Sequence, residues 1–210
     1  MTMTMTMTMS AETPLRRRRI GFAWFSIVAG IVGWFASFEL LTEYIKTLQE
    51  PTHAPNCNIS KLVTCGPNMD SWQGSLFGFS NTIIGVTAFT VPIFIGAAIL
   101  AGAHFARWFW RLYGLGLLGG IIFITWLQYQ SFFSLGTLCP WCMVVWAAMI
   151  PLWWVTLAKA GADGDLFAGG SAIRRLTGFA SWAWVAILLH FVGVAVVAQL
   201  AVDWLLEFRL

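Results

Sequence analysis

Long apolar runs separated by short polar stretches set the pattern of this chain. The runs cover residues 20–41, 78–100, 112–134, 140–158 and 179–204, and the longest polar interval lies between the first two. A hydrocarbon core of about 30 Å needs roughly 20 helical residues to cross it, so each run predicts one membrane-spanning helix. None shows the alternation of a barrel strand. At membrane depth every backbone group must pair within the protein, and helices do that segment by segment. The predicted fold is therefore all-α, a five-transmembrane-helix bundle whose outer loop, residues 42–77, carries a short interfacial helix near WQGSLFGF.

Composition supports lipid as the solvent: 59% of residues are apolar and 10% charged, with 13 Trp and 17 Phe. The first run follows Arg16–Arg19 and superficially resembles a signal peptide. It is long, lacks a small-x-small cleavage site and continues into Glu39 and Glu43, so it is kept as a helix. The preceding MTMTMTMTMS is low-complexity, with no apolar periodicity to bury, and residues 1–19 are expected to form a disordered basic cytoplasmic segment. Residues 20–158 form the expected four-helix core, 159–178 a cytoplasmic loop, and 179–210 a fifth helix with a short outer tail.

Charge orients the bundle. Arg16, Arg17, Arg18, Arg19, Arg107, Arg111, Lys159, Arg174 and Arg175 fall on one side, against Lys46, Lys61 and Arg209 on the other. The positive-inside rule makes the first side cytoplasmic. The net charge of +3 thus reports membrane orientation and implies no nucleic-acid partner. All four cysteines then lie at or beyond the outer face, where disulfides persist.

The cysteines form two pairs, Cys57 and Cys65 in CNISKLVTC and Cys139 and Cys142 in CPWC, and the even count suits two disulfides. Pro140 fits the first turn of a helix, which puts Cys139 near the N-cap, where the helix terminus favours a thiolate. Cys142 lies about one turn deeper. A Cys-x-x-Cys disulfide closes a small ring, contributes little stability and exchanges easily. Three readings fit: a redox couple, a soft-metal site completed by Cys57 and Cys65 in a thiol-liganded metal-binding protein, or inert structural disulfides.

Electrons leaving a thiol pair at a membrane surface need an acceptor, and a quinone dissolved in lipid is the natural one. Phe77, Phe79, Trp141 and Trp146 are candidate walls for its pocket, and Asn81 is the amide near the outer end of the second helix. The three histidines, His53, His104 and His190, are left out of the site.

Taken together, Cys57-x7-Cys65, Ser71 of DSW, Asn81 of SNTIIG and CPWC at the head of the fourth helix resemble the vitamin K epoxide reductase family, in its bacterial, actinobacterial-type form. The resemblance spans about residues 20–158. It implies a plasma-membrane enzyme in which Cys57 and Cys65 shuttle electrons from a thioredoxin-like partner to Cys139 through a transient interloop disulfide. Cys142 is then the thiolate that faces the quinone. It further implies Asn81 as a hydrogen-bond donor to a quinone oxygen, Trp146 on the pocket wall and Ser71 as a tether for the loop over the pocket. Animal members have tyrosine where this chain has Trp146, and the missing hydroxyl favours simple quinone reduction over epoxide reduction. The fifth run passes directly into the terminal DWLLEFRL, so the expected partner is a separate exported DsbA-like protein, and the actinobacterial likeness tilts the quinone toward menaquinone over ubiquinone.

Overall fold

The computed structural model of the protein describes residues 3–163, 170–203 and 205. Six α-helices are present among them: α1 (Met3–Gln49), α2 (Gly66–Asp70), α3 (Asn81–Leu100), α4 (Arg107–Gln130), α5 (Pro140–Ala162) and α6 (Gly170–Val202). A 3-10 helix covers Trp72–Ser75, and a π-helix, Ser131–Leu135, continues α4. Five of these helical segments are long and apolar enough to cross a membrane, and among the described residues the one β-type pairing is an isolated bridge between Val63 and Leu138.

Two boundaries differ from the sequence expectation. Residues 3–19, expected to be disordered, are helical and continuous with the first span. Helix nucleation is the costly step, and once the apolar segment supplies the nucleus, a flank containing Met, Ala, Leu and Arg extends it at little cost. The expected 159–178 loop shrinks from both ends, because α5 runs to Ala162 and α6 starts at Gly170. Residues 164–169 of that loop, Met1 and Thr2, and the outer tail from 206 onward lie outside the described residues.

Among the described residues, α1 and α3 make the most extensive helix–helix contact. A Cβ on Gly33 would strike the Phe89 ring, and one on Gly30 would come within 2.6 Å of Ile93 Cγ1, so glycine is what allows this approach. α5 packs against α1, α4 and α6, and supplies the fully buried Ile150 and Leu152. At the end of the bundle away from the cysteines, Lys159 Nζ sits 3.8 Å from the Trp110 ring centroid and 5.1 Å from that of Phe22, with Asp163 Oδ2 at 3.0 Å. One cation thereby joins α1, α4 and α5. α6 lies outside the four-helix core and turns Trp182, Trp184, Leu188 and Leu200 outward, as a helix bathed in lipid should.

The expected interfacial element is present as the 3-10 turn Trp72–Ser75 preceded by α2, not as a regular helix through WQGSLFGF. Gly78 takes a left-handed φ of 81° and ends the run before α3 begins. Trp72 is exposed and rests against Trp126 of α4, 6.0 Å between ring centroids.

Candidate functional site

Four cysteines meet where the outer loop crosses the head of α5. Cys57 and Cys65 are joined in a disulfide, while Cys139 and Cys142 are free thiols. The expectation of two disulfides is thus met at the loop pair and not at CPWC. Cys65 and Cys139 are both fully buried, and Cys139 Sγ lies 3.3 Å from Cys65 Sγ. A bond between them would need only about 1.3 Å of further approach, given an S–S length near 2.0 Å.

Local pairing creates this contact. Leu138 N–H donates to the Leu62 carbonyl at 2.8 Å, and Thr64 N–H donates to the Leu138 carbonyl at 3.0 Å. These two bonds form a one-rung parallel bridge between segments 75 residues apart, placing Cys65 just beyond one strand and Cys139 just beyond the other. Gly136, left-handed at φ 63°, turns the chain out of the π-helix so that Leu138 can reach the bridge.

Polar side chains hold the loop in that register. Asn58 Oδ1 accepts from Cys65 N–H at 3.0 Å and from Thr64 Oγ1 at 2.6 Å. Asn68 Nδ2 donates to Thr137 Oγ1 at 3.0 Å, and Trp141 Nε1 donates to Asn56 Oδ1 at 3.4 Å. At the foot of the loop the buried Glu43 carboxylate accepts from Lys46 at 2.8 Å, His53 at 3.0 Å and the Asn56 N–H at 2.9 Å. Apart from Cys65 and Trp141, the latter expected as a pocket wall, these residues were not foreseen as part of the site. The signal for them was an acid at the end of an apolar run followed by three asparagines near cysteines, which carries no address without the fold.

Cys139 is the N-cap of α5 with Pro140 in the first turn, and its sulfur accepts from Cys142 N–H at 3.4 Å. The Cys142 thiol and then the backbone N–H groups of Cys142 and Trp141 hold the Cys139 thiol below its ordinary pKa, against the opposing effect of burial. Cys139 is therefore the better thiolate and the better leaving group of an exchange at this point.

Below the sulfurs lies a cavity of about 360 Å³ between α1, α3, α4 and α5, roofed by Asn68, Met69 and Gly74 of the loop. Cys142, Asn81 and Trp146 share its wall. Asn81 donates from Nδ2 to the Gln73 carbonyl at 2.6 Å, while its buried Oδ1 has no partner. Trp146 is buried and edge-on to Phe132, with centroids 5.7 Å apart.

Four other expected site residues stand off the cavity wall. Phe79 is exposed and packs against Phe77, with ring centroids 6.4 Å apart, and Trp141 lies edge-on to Phe35 at 5.9 Å. Ser71 does not line the cavity; it caps the 3-10 turn, its Oγ accepting from Gly74 N–H at 3.2 Å, which holds the roof from outside. Phe77 is also off the cavity wall, exposed and packed against Phe123, because the turn at Gly78 directs it away from the bundle centre.

A disulfide and a dithiol in contact at the mouth of a cavity within a helical membrane bundle are the parts of a membrane thiol–disulfide oxidoreductase. Comparison with known families makes this specific: the model of the Vitamin K epoxide reductase family matches residues 24–157, more than half of the chain, and the protein belongs to that family. No curated protein matches it individually. Membership carries oxidoreductase activity, a membrane location, and a general link to quinones and thioredoxin-like partners.

Proposed function

We propose that the protein reoxidises a separate exported DsbA-like protein and passes the electrons to a membrane quinone, supporting disulfide formation in proteins outside the cytoplasm. The observation that carries this reading is the 3.3 Å contact between Cys65 and Cys139, with Cys142 of the same dithiol on the cavity wall.

The contact orders the steps. A partner thiolate attacks Cys57, giving a mixed disulfide and releasing Cys65. Cys65 attacks Cys139 of an oxidised Cys139–Cys142 pair, forming the Cys65–Cys139 disulfide and releasing the Cys142 thiolate. The partner's second thiolate then resolves its mixed disulfide and frees Cys57, which attacks Cys65 and expels Cys139. Two electrons have then moved from the partner to the Cys139–Cys142 dithiol, leaving a loop disulfide beside that dithiol, the arrangement seen in the structure. The dithiol passes two electrons and two protons to the quinone and closes to a disulfide. Cys139 suits the leaving-group role because its thiolate is favoured.

Asn81 serves the quinone end. Its second Nδ2 hydrogen is a donor for a quinone carbonyl, and the unpartnered Oδ1 is an acceptor for the hydroxyl of the reduced product. Trp146 supplies a flat apolar wall, and an apolar cavity suits either menaquinone or ubiquinone, with menaquinone favoured by the actinobacterial likeness. α3 and α4 both line the cavity and pack little against each other, so the seam between them is the entry route from lipid that this reading assigns to a chain-bearing ligand. The location we propose is the bacterial plasma membrane, with the cysteine end outside. Arg19, His104, Lys159 and Trp110 gather at the opposite end, on the side the positive-inside rule assigns to the cytoplasm.

Purified protein, reduced DsbA-like substrate and a short-tailed menaquinone test the reading. Substrate oxidation should depend on quinone and disappear in Cys57→Ser, Cys65→Ser, Cys139→Ser and Cys142→Ser alike. A thiol-liganded metal site would instead give stoichiometric zinc on the reduced protein and no turnover.

A further inference from the structure

A second cavity, of about 620 Å³, lies between the π-helix end of α4 and the peripheral helix α6. Phe132 on its wall packs edge-to-face on Trp146, on the wall of the sulfur-side cavity, so the pair of rings stands between the two spaces. Most of the lining is aromatic or aliphatic. Thr125 already gives its hydroxyl to the Ile121 carbonyl at 2.7 Å.

Besides the hydroxyl of the exposed Tyr129, two polar groups on the wall are hydrogen-bond donors. Gln128 is 4% exposed and its Nε2 has no partner. Trp154 Nε1 donates to His190 Nδ1 at 3.2 Å, so a neutral imidazole carries its own proton on Nε2. At about 1.5 Å per residue, Gln128 lies roughly 10 Å below the end of the π-helix and His190 roughly 18 Å below the end of α6. Both are at hydrocarbon depth, where water does not satisfy a donor, and an orphaned buried amide is destabilising there.

An apolar, lipid-facing groove with donors staggered along its depth is complementary to a chain-bearing molecule that offers carbonyl oxygens. We propose that this groove is a second binding site, distinct from the sulfur-side cavity, that holds a carbonyl-bearing membrane amphiphile with one oxygen accepting from Gln128 Nε2. Isoprenoid quinones and the acyl esters of phospholipids share this chemistry. The site needs no electron transfer and stands whether or not the thiol cycle proposed above is correct.

The test uses full-length protein in lipid nanodiscs with two photoreactive probes, a diazirine-bearing isoprenoid quinone and a diazirine-bearing diacyl phospholipid, and maps labelled peptides by mass spectrometry. Saturable labelling at Tyr129–Phe133 and Leu189–Val197 is expected from one probe, and which probe saturates identifies the source. Gly193→Leu fills the groove from a position whose Cβ meets nothing within 4 Å, so it should fold and cut that labelling at least roughly fivefold. Gln128→Leu should do the same, while labelling near Trp146 stays unchanged in Gly193→Leu. Labelling that does not saturate, or that survives Gly193→Leu at full strength, overturns the proposal.

Discussion

Cys139 stands in two relationships at once, touching the loop disulfide through its sulfur and capping the helix that carries its redox mate. The Cys142 thiol is the main cause of its lowered pKa, so removing that donor should be visible in titration. A depressed thiol stays ionised as pH falls below the ordinary thiol range and loses its charge only on passing the lowered value. In Cys142→Ala the ultraviolet thiolate signal of Cys139 should therefore vanish at a higher pH than in the reduced native protein. An unchanged or lower transition would show that the Cys142 side chain does not set it. Asn81 makes a separate prediction. Asn81→Ala removes both groups offered to the quinone and should raise the quinone KM by roughly tenfold, the worth of one net hydrogen bond, while the rate at saturating quinone changes less. A KM within twofold of native would remove Asn81 from the binding role. Its sequence signal was a lone amide near a helix end, but the free acceptor Oδ1 and the bond to Gln73 depend on the folded loop.

Between elements, the one-rung bridge at Val63 and Leu138 matters more to the chemistry than its size suggests. It sets Cys65 against Cys139, and Asn58 locks it by holding the Cys65 N–H and the Thr64 hydroxyl. Asn58→Leu deletes both bonds and should slow formation of the Cys65–Cys139 disulfide by about tenfold, measured by quench-flow trapping, with quinone reduction by a pre-reduced CPWC pair left intact. Equal slowing of both steps would mean that the loop is not the part affected. The spans and the helix start at Pro140 were legible from apolar runs and from proline chemistry, which are local. The bridge was not, because it pairs three loop residues with one residue far along the chain and has no periodicity of its own. Glu43 is a similar case: a carboxylate at the end of an apolar run has no visible partner until the loop brings Lys46, His53 and Asn56 around it. Breaking this cage by Glu43→Ala should destabilise the loop by about 2 kcal/mol, below the usual cost of breaking a fully buried pair because Lys46 is half exposed, and should show as faster amide exchange over residues 53–65.

Across the whole molecule, the helices divide the work. α1, α3, α4 and α5 enclose the cavity, the loop roofs it and carries the second sulfur pair, and α6 stands outside with a groove of its own. The reductant arrives from water and the oxidant from lipid, and the two sulfur pairs lie at the boundary between them. That central claim has a direct measurement in electron stoichiometry. Anaerobic, fully reduced protein should reduce two quinones per chain, one for each thiol pair. Cys57→Ser/Cys65→Ser should reduce one, and Cys142→Ser none. A native yield of one, or a loop double variant that still reduces two, would contradict electron passage from the loop pair through Cys139 and Cys142 to the quinone.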